Sequence, residues 1–95
     1  MRAYELMFIA RPDLEEGEYD RLVERTSSII QERGGSVENV DKWGKRRLAY
    51  EIAGSNEGYY VVVGFAGGSE CVAELDRILK ITDGVLRHLV VRREE

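Results

Sequence analysis

The chain has one cysteine, Cys71, and one histidine, His88. No internal disulfide can form, and no histidine and cysteine cluster is available to hold zinc. Proline occurs once, at Pro12, and no apolar run approaches the roughly 20 residues that a membrane span requires. The first residues, Met1-Arg2-Ala3-Tyr4-Glu5, contain no apolar signal region, so the expected location is the cytosol. A phosphate-cradling Gly-x-x-x-x-Gly-Lys-Ser/Thr loop and a Gly-x-Ser-x-Gly elbow are both missing. His88 lies in the strand-like run Leu86-Arg87-His88-Leu89, where a histidine half-buried against a helix is the expected reading. Cys71 falls at the start of a helical stretch with no second cysteine or adjacent histidine, and reads as structural. No catalytic residue, metal site, cofactor or small-molecule substrate is expected.

What the sequence does contain is an ordinary globular composition, 43% hydrophobic and 34% charged over 95 residues. Residues 1–95 are expected to form a single domain. The net charge of −4 argues against an indiscriminate polyanion binder, but the charges are segregated. Asp13, Glu15, Glu16, Glu18, Asp20, Glu24 and Glu32 crowd one stretch, whereas Lys42, Lys45, Arg46 and Arg47 follow one another with no acid between them. That asymmetry suggests an acidic back and a basic working edge.

Residues 3–10 are rich in aromatic and branched side chains and stop at Arg11-Pro12-Asp13, which predicts a first strand. Asp13 with Glu16 resembles a capping box, Gly34-Gly35 supplies a stop, and Leu22, Val23, Thr26, Ile29 and Ile30 form a stripe at helical spacing. A second strand ends in the alternation Leu48, Tyr50, Ile52 against Ala49, Glu51, Ala53. Residues 54–58 read as a hairpin connection, and Tyr59 to Phe65 is the most strand-like run in the chain. Ser69 is the expected N-cap of a second helix with Val72, Leu75, Ile78 and Leu79 buried, and Val85 to Arg93 closes the chain as a fourth strand. This order defines the α+β, ferredoxin-like βαββαβ arrangement, a four-stranded antiparallel sheet with two helices packed on one face.

Alternation then assigns the sheet faces. If Leu6, Phe8, Leu48, Tyr50, Val61, Val63, Phe65 and Val90 point toward the helices, then Met7, Ile9, Tyr60, Val62, Leu89 and Val91 point to the uncovered face. An antiparallel sheet with a free face usually alternates apolar and polar, and these strands do not. Such a face suits a macromolecular partner, unless long polar stems or a curled sheet cover it. Within the basic run, Lys45 and Arg47 should lie on one side and Arg46 on the other, continuing the row Leu48, Tyr50, Ile52. With Lys42 and the flat, amphipathic Trp43 they form a candidate phosphate-binding surface, and Arg2, Arg87, Arg92 and Arg93 on neighbouring strands could extend it. Two rival classes remain open. One is a ferredoxin-like regulatory module that self-associates through its open face and binds a small ligand. The other is a single-strand RNA binder that stacks bases on that face, for which Tyr60 is the clear aromatic candidate.

The run Gly44-Lys45-Arg46-Arg47-Leu48-Ala49-Tyr50-Glu51-Ile52, with Met1-Arg2-Ala3-Tyr4-Glu5, Gly58-Tyr59-Tyr60 and Leu86-Arg87-His88-Leu89-Val90-Val91-Arg92, resembles the bacterial small-subunit ribosomal protein six family nearly end to end. That resemblance implies a ferredoxin-like fold, no enzymatic activity, and binding to the central domain of small-subunit (16S) ribosomal RNA. It also implies a heterodimer with ribosomal protein eighteen of the same subunit, the two binding RNA cooperatively. Arg2, Lys45, Arg46 and Arg47 match the family's basic positions most firmly, with Lys42, Arg87, Arg92 and Arg93 less so. Some members end in a long acidic tail modified by glutamate addition; Glu94-Glu95 here is not expected to be such a tail.

Overall fold

The computed structural model describes residues 1–93, so Glu94 and Glu95, on which the tail expectation falls, lie outside the described residues. The elements run β1 (Arg2–Ala10), α1 (Glu16–Glu32), β2 (Ser36–Ile52), β3 (Ser55–Gly67), α2 (Ser69–Ile81) and β4 (Val85–Arg92). The sheet order is β2-β3-β1-β4, every neighbouring pair antiparallel. This is the expected ferredoxin-like topology.

Alternate residues of the inner strands, Leu6, Phe8 and Ala10 on β1 and Val61, Val63 and Phe65 on β3, pack with Tyr19, Ile29, Ile30, Cys71, Leu75 and Leu79 from the helices. Burying such a side chain contributes about 1.5–3 kcal/mol, so this one layer drives folding. The hydroxyl of Thr26, also fully buried, donates to the Leu22 carbonyl at 2.9 Å, which removes the desolvation cost of placing it there. Tyr19 stacks on Tyr59, ring centroids 3.7 Å apart, and its hydroxyl donates to the Arg11 carbonyl at 2.6 Å. These contacts fix the start of α1 against the end of β1.

Three sequence expectations need correction. The N-cap of α1 is Glu15, not Asp13; its backbone N–H donates to Glu18 Oε1 at 3.2 Å, while Asp13 is taken by the Arg11 guanidinium at 2.9 Å. The N-cap of α2 is Gly68, and Ser69 is already helical. The hairpin connection is Ala53-Gly54 alone, both at positive φ (49° and 83°), the backbone that a tight two-residue turn between twisted strands requires. Ile52 pairs with Ser55 across it.

The long β2 is irregular, and that moves side chains across the sheet. Its register against β3 shifts between Val37 and Asn39, between Lys42 and Gly44, and between Arg47 and Ile52. Each inserted residue reverses which face the following residues occupy. Lys42 stands opposite the core residue Val61, but past the bulge it is Lys45 that stands opposite Tyr59. Arg46, opposite Gly58, therefore lies on the uncovered face. Leu48 and Tyr50, expected against the helices, are on the other side: Leu48 Cδ2 and Ile9 Cγ2 both flank the position above Gly58, and the Tyr50 hydroxyl bonds the Arg87 guanidinium.

Candidate nucleic-acid interface and open sheet face

The separation within the basic run follows from the register. Lys45 pairs with Tyr59, Arg46 with Gly58 and Arg47 with Glu57, so Arg46 is split from Lys45 and Arg47 as expected, but the faces are reversed: Lys45 and Arg47 share the helix side, and Arg46 moves with Leu48 and Tyr50 to the open one. All three are exposed, and Arg46 and Arg47 enter no ion pair among the described residues. Since β1 ends opposite Tyr59, the segment beyond it is a two-stranded arm that carries these cations past the four-stranded sheet. Lys42 is placed differently: its ammonium is bonded by Asp20 of α1, and that hydrogen bond raises its pKa. It is charged but already compensated.

The remaining arginines do not form one continuous edge with the run. Arg87 stands opposite Ile9, and Ile9 opposite Tyr60, near the same end of the sheet as Arg46. Arg2 pairs with Gly67, Arg92 with Tyr4, and the Arg93 amide donates to the Ala3 carbonyl at 2.9 Å. Those three lie at the opposite end. Sequence order put Arg87, Arg92 and Arg93 on one strand, but antiparallel pairing sends its two ends to opposite poles of the molecule.

The open face is apolar but not uniformly bare. Met7, Ile9, Tyr60, Val62, Leu89 and Val91 share it, yet Ile9 and Val62 are only 7% and 8% exposed, against 53% and 46% for Leu89 and Val91. Part of the cover comes from β2. Trp43, at the bulge beside Gly44 (φ 82°), lays its indole parallel to the Tyr60 ring at 6.1 Å and donates from Nε1 to Asp41 Oδ2 at 3.1 Å. A hollow of about 260 Å³ remains between Met7, Ile9, Tyr60, Arg87 and Leu89. Sequence reading missed the roles of Tyr50, Leu48 and Asp41 here. The available signal was Gly44, since an isolated glycine inside a strand pattern marks a bulge.

The two residues considered for chemistry are occupied structurally. His88 Nε2 lies 3.0 Å from Asp76 Oδ1 of α2, half-buried against a helix as expected. Cys71 is fully buried, and burial pushes its thiol pKa up, which suppresses the reactive thiolate.

A one-sided helix layer, a projecting basic arm and an apolar face on the far side of the sheet define a ferredoxin-like α+β domain. Residues 3–92 match the family model described as Ribosomal protein S6, and the chain belongs to that family of small ribosomal subunit proteins. Its relatives include the small ribosomal subunit protein bS6 of Thermoanaerobacter pseudethanolicus, 52% identical over the whole of both chains. That of Clostridium perfringens is 48% identical, again over the whole of both. The crystal structure of 30S ribosomal protein S6 from Thermotoga maritima superposes with a TM-score of 0.91 at 40% identity, covering 97% of this chain and 87% of that one. The C-terminal domain of the MgtC protein from Mycobacterium tuberculosis, 19% identical with a TM-score of 0.57, shares the fold alone. The relatives from Thermoanaerobacter, Clostridium and Thermotoga are ribosomal proteins.

Proposed function

We propose that this chain is a structural, cytoplasmic component of the small ribosomal subunit that binds the central domain of 16S ribosomal RNA cooperatively with ribosomal protein eighteen. The observation that carries this reading is the arm. In a chain of net charge −4, Arg46 and Arg47 project past the sheet with no acid paired to them among the described residues. Backbone phosphates supply the missing partners, and their release of counterions favours binding. Lys45 and Arg87 extend this end; Arg2, Arg92 and Arg93 form a second basic group at the other pole. The partner protein is assigned to the strip of the open face formed by the exposed Leu89 and Val91 and the half-buried Met7, with the hollow beside Ile9 and Tyr60 taking an inserted side chain. A partner there would complete a face that the chain covers only in part, and its own charges would offset the acidic balance that weakens RNA binding by this chain alone.

The test is titration of a central-domain RNA fragment with and without ribosomal protein eighteen at two salt concentrations. Binding should be weak alone and tight, salt-sensitive with the partner. The double charge reversal Arg46→Glu, Arg47→Glu should weaken it at least tenfold and lower the salt slope by about 1–2, with unchanged thermal unfolding. Unaltered affinity would remove the arm from the interface, and no binding with or without the partner would overturn the assignment.

A further inference from the structure

Trp43 is the one tryptophan in the chain, and its placement is costly to explain as packing alone. It sits on an edge strand and is 45% exposed, yet its ring has partners on two sides. The Tyr60 ring lies parallel to it within 10°, the Asp41 carboxylate holds its Nε1–H, and the bulge at Gly44 sets the local backbone. A flat aromatic surface is thus oriented by these contacts and left partly open to water. Toward the arm the charge is positive: Arg46 bonds only the Lys45 carbonyl and the partner of Arg87 is the Tyr50 hydroxyl, so neither charge is cancelled by an acid among the described residues. Asp41 lies on the other side, its carboxylate engaged with the indole.

We infer that Trp43, backed by Tyr60, is a stacking platform for one unpaired nucleobase, with Arg46 and Arg87 holding the phosphates that flank it. This rests on the RNA-binding reading and specifies its kind: a single-stranded nucleotide beside the backbone contacts of the arm. Every base has a π face, and stacking on a pre-oriented aromatic ring costs little ordering entropy. The flanking charges favour a nucleotide over a protein side chain. An apolar protein segment laid on Trp43 would bury Arg46 and Arg87 without compensation, whereas a nucleotide brings the anions with it.

Trp43 is itself the reporter. Titration of the full chain with a short oligouridylate at low salt should quench its fluorescence, and Trp43→Leu should weaken binding of the labelled oligonucleotide about tenfold, while Trp43→Phe, which keeps a ring, should stay within about threefold of the original. Thermal unfolding of both variants checks that the fold is kept. Binding that leaves Trp43 emission unchanged, no oligouridylate binding, or equal affinity of Trp43→Leu would each overturn the platform. So would an emission change produced only by ribosomal protein eighteen, which would make Trp43 a protein contact. Parallel titration of the central-domain RNA fragment with the partner separates the two levels: tight binding there with a silent Trp43 removes the stacking site alone, and absence of binding removes the RNA reading as well.

Discussion

At Gly64 and Gly35 a methyl group would collide with a neighbour, but different neighbours make the two substitutions unequal. Above Gly64 the obstacle is Asn39 Oδ1, the end of an exposed side chain that can swing into solvent. Above Gly35 the obstacles are the Ala66 carbonyl oxygen at 2.7 Å, the Ile30 carbonyl oxygen at 3.0 Å and the Ile30 Cγ2 at 2.8 Å, all held by the sheet and the buried end of α1. Gly64→Ala should therefore change stability by no more than about 0.5 kcal/mol, and Gly35→Ala should cost about 1–3 kcal/mol. Urea unfolding of the two variants measures both, and equal losses would contradict the reasoning. The same logic explains Gly58, whose missing side chain leaves room for Ile9 and Leu48 to meet.

The β2–β3 hairpin is the element on which both the site and the limits of sequence reading depend. Its turn places Ala53 at φ 49°, a conformation in which an ordinary side chain crowds the following carbonyl and asparagine is better tolerated. Ala53→Asn, creating the Asn-Gly pair favoured in such turns, should stabilise the chain by about 0.5–1 kcal/mol, read as a rise of a few degrees in Tm. No rise would mean that the arm frays independently of the sheet. The topology was legible because each strand and helix carries its own period and its own stop signal, from Arg11-Pro12 to Thr82-Asp83-Gly84. The basic run was legible too, together with the split of Arg46 from Lys45 and Arg47. Legibility failed where periodicity was interrupted: alternation carried Leu48 and Tyr50 straight through the bulge at Trp43-Gly44 to the wrong face. It failed again where the decisive contact is distant in sequence, as between Tyr50 and Arg87 or Lys42 and Asp20.

Taken whole, the molecule joins its two helices by charge as well as by apolar contact. Glu74 of α2 accepts from Arg77 on its own helix at 2.7 Å and is bonded by Arg33 at the end of α1; those hydrogen bonds, the Arg77 one foremost, hold its carboxyl below the ordinary value of 4.5. The Arg11 guanidinium does the same for Asp13, below 3.8. Carboxyls depressed in the folded state stabilise it above their ordinary values and lose that contribution as pH falls through the folded ones. Stability should therefore decline below about pH 4.5, and Glu74→Gln should flatten part of that decline in unfolding curves taken from pH 6 to 3. An unchanged slope would show that neither the Arg77 nor the Arg33 contact holds the carboxylate in solution. The irregular register of β2 has one more effect, on colloidal behaviour. As an edge strand it offers unpaired backbone donors and acceptors along its length, the usual template for strand-by-strand polymerisation. Interruptions at three places and a row of cations break that template into pieces too short and too repulsive to recruit another chain. At this edge, one of the two in the sheet, strand-by-strand growth is therefore disfavoured.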